Sequence, residues 1–91
     1  MGFFEDSKPK ISKREFEEAR SALAGKGFSE REILEVQKIF RADLNDVRED
    51  DRGIDGKELD AALLWMREHI GEHAVSEKKL DILEAVLRKR L

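Results

Sequence analysis

The chain has 91 residues and a mass of 10.5 kDa, which is the size of one small domain. Charged residues make up 43% of it and hydrophobic residues 40%, a balance too apolar for a fully disordered chain and too polar for a membrane protein. The lack of cysteine excludes disulfides, thiolate metal sites and thiol nucleophiles. No secretion signal is visible in the first residues, so we expect a cytoplasmic protein.

The first ten residues are predicted to form a flexible tail, and a single four-helix domain is predicted over residues 11–91. Phe3 and Phe4 are unusual in such a tail. We expect this aromatic pair to pack back on the domain, because exposed paired aromatics promote association; docking on a partner is the alternative.

One helix-start pattern recurs four times along the chain. Each copy has an apolar residue, then Ser or Asp, and three residues after this cap a charged residue followed by another apolar one. The Ser or Asp side chain accepts a hydrogen bond from the first helical turn, and a Glu three residues later returns a bond in a capping box. The fourth copy has Lys79 in place of that Glu. The pattern predicts helices near residues 12–24, 29–45, 55–70 and 76–91.

Apolar residues recur at spacings of three and four after each start, which is typical of amphipathic helices. No segment alternates over the length of a strand, so strands should be absent or only two or three residues long. We therefore predict an all-α fold whose four helices form two helical hairpins joined by residues 45–53.

The two halves of the chain resemble each other. A shift of 43 residues aligns Ile11 with Ile54, and a shift of 47 residues aligns Ser29 with Ser76. An internal duplication explains this alignment, and so does the general similarity of any two amphipathic hairpins. Both explanations are open from the sequence.

Acidic residues concentrate around the predicted connection between the halves. Residues 43–60 contain eight acidic and three basic side chains, whereas the rest of the chain is slightly basic. The one basic run, residues 88–90, lies at the end of the last helix, where cations suit the helix dipole. Residues 12–45 have the topology of a helix-turn-helix, but acidic residues outnumber basic ones over residues 30–45, which disfavours phosphate binding. Nucleic-acid binding is therefore a second alternative only.

The segment Ile54-Asp55-Gly56-Lys57-Glu58-Leu59 resembles the second half of an EF-hand calcium loop. In that family an apolar residue pairs in a short strand, and a Glu four residues later closes on calcium with both oxygens. Ile54 and Glu58 match these roles, and Ile11 with Glu15 is similar. The resemblance spans about residues 11–70 and implies a loosely EF-hand-like helix–loop–helix at the centre. It also implies that one entering helix is missing ahead of Ile11, so such a core would need a partner.

The loop before Glu58 departs from the family pattern. Counting back from Glu58 places Val47, which has no side-chain ligand, at the first loop position; one inserted residue would place Asp46 there instead. A start at Asp43 would make a loop of sixteen residues. The candidate metal ligands are Asp46, Glu49, Asp51 and Glu58. We expect a solvated acidic connector and no cofactor, with calcium binding as the alternative.

The sequence offers few candidate residues for a zinc site or for catalysis. His69 and His73 have the spacing of a zinc pair on a helix, but Gly71 falls between them and no third ligand is evident, so we expect two surface histidines. The serines at the helix starts are explained as caps. We therefore expect no enzymatic activity.

The third and fourth helices are apolar on more than one side, which favours contacts on two faces. The extra apolar residues form a candidate partner-binding set: Ala61, Leu64, Trp65, Ile82 and Val86. These residues could instead be buried within the domain, and we expect Trp65 to be core because a small domain seldom leaves its one tryptophan unused. The sequence as a whole favours a small non-catalytic protein–protein interaction module that binds another protein or a second copy of itself, and no membrane.

Overall fold

The structure, a computed structural model, describes residues 10–45 and 52–91. The described chain is mainly helical, which confirms the all-α class, and its strands are only two residues long. Its elements in chain order are β1 (Lys10–Ile11), α1 (Lys13–Gly25), α2 (Glu30–Leu44), β2 (Ile54–Asp55), α3 (Gly56–Glu68) and α4 (Glu77–Arg88).

The helices begin at the predicted caps. Ser12, Ser29 and Asp55 each accept a bond from the backbone of the Glu three residues later, and that Glu returns a bond to the cap backbone. Ser76 caps α4 without a returned bond, because Lys79 stands at the place of the Glu. The last two helices end before the predicted residues 70 and 91, at Glu68 and Arg88.

The two short strands join the halves of the chain. β1 and β2 pair antiparallel, with Ile11 opposite Ile54, and both isoleucines are fully buried. Gly53 precedes β2 with φ of 108°, and a Cβ atom there would lie 3.0 Å from the carbonyl oxygen of Ile11. The Gly53 N–H also donates to the Asp43 carbonyl at 2.7 Å. A glycine is therefore required for β2 to lie against both β1 and the end of α2.

Hydrogen bonds between helix ends show how the helices run relative to one another. The start of α1 meets the end of α2, where Lys13 Nζ donates to Asn45 Oδ1 at 3.2 Å. At the opposite end of the molecule the start of α4 meets the end of α1, where Lys79 Nζ donates to the Gly27 carbonyl at 3.1 Å. Helix α4 packs against both α1 and α3. Helix α4, from the second half of the chain, therefore contacts a helix of each half. The division of the fold into two hairpins stays a prediction.

One hydrophobic core lies between the four helices. Its described members are buried and contributed by every helix and both strands: Ile11, Phe16, Ala19, Leu23, Phe28, Ile33, Val36, Phe40, Leu44, Ile54, Leu59, Leu63, Met66, Val75, Leu80, Leu83, Val86 and Leu87. Burying this apolar surface is the main favourable term in folding.

Candidate partner surface and acidic loop

The outer side of α3 carries exposed apolar side chains. The inner side of this helix is taken by Leu63 and Met66, which lie in the core. Helical spacing then directs Ala61, Leu64 and Trp65 outward. Leu64 is 59% exposed and Trp65 is 44% exposed, and Ala61 is exposed as well. We call these three residues the Trp65 face.

The predicted partner-binding set is only partly brought together. Val86 is 6% exposed and belongs to the core, and Ile82 is half-buried and packs against the core. The second apolar side of α4 is used inside the domain, because α4 lies against both α1 and α3. The inclusion of Val86 in the partner-binding set is therefore wrong, whereas Ile82 stays partly exposed at the edge of the core.

The expectation that Trp65 is a core residue was also wrong. Leu63 and Met66 fill the positions that face inward, and Trp65 lies on another side of the same helix turn. Its ring stacks on the His69 imidazole, with centroids 4.3 Å apart and planes at 16°, and lies 6.1 Å from the His73 ring. Trp65 is thus held by neighbouring rings and is still open to solvent.

The two histidines hold the end of α3. His69 Nδ1 lies 2.7 Å from the Trp65 carbonyl oxygen and His73 Nε2 lies 2.8 Å from the Met66 carbonyl oxygen. The Val75 N–H donates to His73 Nδ1 at 3.2 Å, so His73 Nε2 carries a proton and donates to Met66. These nitrogens satisfy the last carbonyls of the helix, a structural role that explains the pair without zinc.

Charged side chains lie at both ends of the Trp65 face. Lys57 and Glu68 are exposed and lie on the same side of α3 as Ala61 and Leu64, because the four positions are separated by four, three and four residues. Within the described part of the chain neither Lys57 nor Glu68 takes part in an ion pair. Neither residue is among the site residues predicted from the sequence, although their spacing from Ala61 and Leu64 can be read there.

An ion-pair network fixes α3 against α4. Arg67 contacts Glu84 at 3.0 Å and Asp81 at 3.2 Å, and Arg88 contacts Glu84 at 2.7 Å and pairs with Asp60. The Arg88 guanidinium, with a second contribution from Arg67, holds the pKa of Glu84 below its usual range. The network lies between the helices, so the Trp65 face is presented by a helix that is held in place.

The basic run at the end of α4 is used within the fold. Arg88 belongs to the network with α3, and Arg90 pairs with Glu18 of α1 at 3.3 Å. Two of the three cations are thus matched by carboxylates of the same chain. This arrangement disfavours a contact with phosphates.

The acidic loop is described only at its ends. Asp46, Glu49 and Asp51 lie outside the described residues. Of the four candidate ligands, Glu58 is described, and its Oε1 accepts the Asp55 N–H at 2.9 Å as part of the α3 capping box. Over residues 10–45 and 52–91, no group of three or more His, Asp or Glu side chains lies close enough to hold a metal ion.

No protein-family model, curated protein or solved structure matches this chain. None of the helices in the described part of the chain is long and apolar enough to cross a membrane.

Proposed function

We propose that this chain is a small non-catalytic protein–protein interaction module that binds its partner through the Trp65 face. The observation that carries the proposal is the exposure of the chain's one tryptophan. Trp65 is 44% exposed and lies beside Leu64, which is 59% exposed. The core-facing side of the same helix is already filled by other residues. Tryptophan is the side chain most enriched among residues that dominate binding energy. A single exposed leucine needs no explanation, but a tryptophan and a leucine side by side favour a binding surface.

The surroundings of Trp65 suit a binding role. The His69 ring stacks on the indole and itself bonds to the backbone of α3, so the indole is already ordered before a partner arrives. An ordered anchor loses less conformational entropy on binding than a mobile one. Arg67 of α3 pairs with Glu84 of α4, and Arg88 of α4 pairs with Asp60 of α3, so the helix that carries Trp65 is held against α4.

The shifted ionisable groups support a non-catalytic role. The pKa of Glu32 is lowered first by the Ser29 backbone N–H and then by Lys79, and that of Glu84 is lowered by Arg88 and then Arg67. These causes are a helix cap and ion pairs within α4 and between elements, all of which stabilise the fold.

A site-specific photo-crosslinker tests the proposal. We would place the photoreactive residue at Leu64 in the full chain and irradiate it in extract of its source cells. Leu34 is the matched control, because it is a second exposed leucine, on α2. We expect a defined protein adduct from position 64 that is lost in Trp65→Ala and is not formed from position 34. Equal adducts from both positions, or none from position 64, would contradict the proposal.

Calcium binding is the second candidate, and the strand pairing favours it. Ile11 lies directly opposite Ile54, and each is followed four residues later by a glutamate, Glu15 and Glu58, in the first turn of the next helix. This arrangement supports the EF-hand resemblance, in which the apolar loop residues pair in short strands. Calcium would then be held by Glu58 together with carboxylates of the acidic loop.

The position of α4 supports the same resemblance. Helix α4 packs against α1 and α3, and beyond the end of α4 Arg90 pairs with Glu18 of α1. In the proposed likeness, α4 takes the place of the entering helix that pairs with α1. An EF-hand-like core of this kind needs no partner to complete it.

A further inference from the structure

We propose that the partner of the Trp65 face is a second copy of this chain, bound with its α3 antiparallel across a two-fold axis. The proposal rests on the proposed function and names the partner for that surface. The observation behind it is the order of side chains along the exposed side of α3. When a second copy of the helix runs in the opposite direction, each side chain in this order meets one of opposite charge or complementary size.

The exposed side of α3 reads as a cation, a small apolar residue, a large apolar residue and an anion: Lys57, Ala61, Leu64 and Glu68. Their separations of four, three and four residues are those of a helix–helix seam, and the order of separations is the same in both directions. An antiparallel copy can therefore align all four positions at once.

One register satisfies every position. When Lys57 lies opposite the partner's Glu68, Glu68 lies opposite the partner's Lys57, and Ala61 lies opposite the partner's Leu64. The pairing thus gives two ion pairs at the ends and places a small residue against a large one twice at the centre. A parallel pairing would instead place Lys57 against Lys57 and Glu68 against Glu68, which repel. The charges are available, since neither side chain is in an ion pair within the described chain.

Trp65 borders this seam. It lies on the edge of the Ala61–Leu64 stripe, and a two-fold axis across the helices brings the two indoles to the same edge of the pair. Each indole then covers the space above the partner's Ala61, where a small side chain leaves room. Such an isologous contact closes on itself and gives a dimer rather than a filament.

The contact is small. A helix of 13 residues is about 20 Å long, and one helix pair buries less area than a standard protein interface. We therefore expect a reversible dimer with a dissociation constant between about 10 μM and 1 mM.

Charge reversal tests both the dimer and its register. Sedimentation equilibrium of the full chain should show a concentration-dependent dimer, and Lys57→Glu and Glu68→Lys should each weaken it by about tenfold or more. An equimolar mixture of the two variants should recover wild-type affinity, because every reversed charge then meets its opposite. The new charges suit the helix dipole, an anion near the start and a cation near the end, so unfolding does not explain the loss. Lys78→Glu, an exposed charge reversal on α4, should dimerise like the wild type.

Each other outcome overturns the proposal. A wild-type chain that stays monomeric to about 1 mM excludes the second copy as partner. A dimer that the single variants leave intact, or that their mixture fails to restore, excludes the antiparallel register. In the first case an adduct from Leu64 to a different protein would still support the proposed function, so the two failures are distinguishable.

Discussion

Lys79 occupies the position at which the other three helix starts carry a glutamate. Its contacts explain why a lysine stands there. Its Nζ donates to both carboxylate oxygens of Glu32, at 2.9 and 3.0 Å, and to the Gly27 carbonyl at 3.1 Å. Glu32 is itself the capping-box residue of α2 and accepts the Ser29 N–H at 2.7 Å. One lysine therefore connects the end of α1 with the starts of α2 and α4.

Restoring the capping-box sequence at α4 should destabilise the protein. In Lys79→Glu the new carboxylate lies beside Glu32, whose side chain is only 14% exposed, and the bonds to Glu32 and Gly27 are lost. We expect the free energy of unfolding to fall by about 1–2 kcal/mol despite the gained cap, as measured by urea denaturation. Lys78→Glu on the same turn is the control and should change it by about 0.5 kcal/mol or less. A Lys79→Glu protein at least as stable as the wild type would contradict this role.

Glu32 should also contribute to the pH dependence of stability. The Ser29 backbone N–H and then Lys79 favour the ionised carboxylate, so the pKa of Glu32 is lower in the folded protein than in the unfolded chain. Its contribution is fully present above the unfolded pKa of about 4.3 and is lost as the pH falls through the lowered folded pKa. We expect Glu32→Gln to make the loss of unfolding free energy below about pH 4.3 shallower than in the wild type. A Glu32 carboxyl that titrates by NMR at or above its ordinary value would refute this assignment.

At the scale of elements, the short β1–β2 pair depends on the glycine before it. Gly53→Ala would place a Cβ atom 3.0 Å from the Ile11 carbonyl oxygen and 3.2 Å from Lys10 Cβ, at a backbone φ of 108°. We expect the substitution to cost about 1–3 kcal/mol of unfolding free energy. Gly56→Ala is the control, since a Cβ there meets nothing within 4 Å and the residue has no positive φ. Equal stability of the two variants would show that the strands are not held as described.

The sequence predicts the helix starts well because capping is local. Ser12, Ser29, Asp55 and Ser76 are recognised from a few neighbouring residues, and all four act as N-caps in the structure. The ends of α3 and α4 are less well predicted, since the apolar spacing continues past Glu68 and Arg88 after the helix has ended.

The assignment of faces fails for a different reason. Periodicity shows that α3 and α4 each have two apolar sides, but it does not show which side meets a neighbour. The contact of α4 with both α1 and α3 decides that Val86 is core, and the packing of Leu63 and Met66 decides that Trp65 is not. The ion pairs of Lys79 and Arg90 join residues far apart in sequence, so no local pattern indicates them.

At the scale of the whole molecule, corresponding residues of the two halves touch each other. Ile11 and Ile54, which the shift of 43 residues aligns, face each other between β1 and β2. Glu32 and Lys79, which the shift of 47 residues aligns, form an ion pair at the other end of the molecule. Contact between equivalent positions is the arrangement of two units related by a two-fold axis, which an internal duplication and two similar hairpins packed about that axis both give.

A calcium titration separates the interaction module from the second candidate. We expect millimolar calcium to shift no amide resonances of residues 43–58 beyond the effect of ionic strength. Saturable shifts confined to this loop, abolished by Glu58→Gln, would instead support the EF-hand-like candidate, because the closing glutamate supplies two charged oxygens. Glu58 also caps α3, so the stability of the variant must first be measured in metal-free buffer.

The claim that Trp65 binds a partner and does not pack in the core is tested most directly by the stability of Trp65→Ala. Urea denaturation followed by far-ultraviolet circular dichroism at micromolar concentration suits this variant, which has no other tryptophan and no tyrosine to report by fluorescence. We expect a cost of about 1 kcal/mol or less, from the lost stacking on His69. Leu63→Ala, two residues earlier and on the core side of the same helix, should cost about 2–5 kcal/mol in the same assay. A cost of about 3–5 kcal/mol for Trp65→Ala would make the tryptophan a core residue and contradict the proposed binding surface.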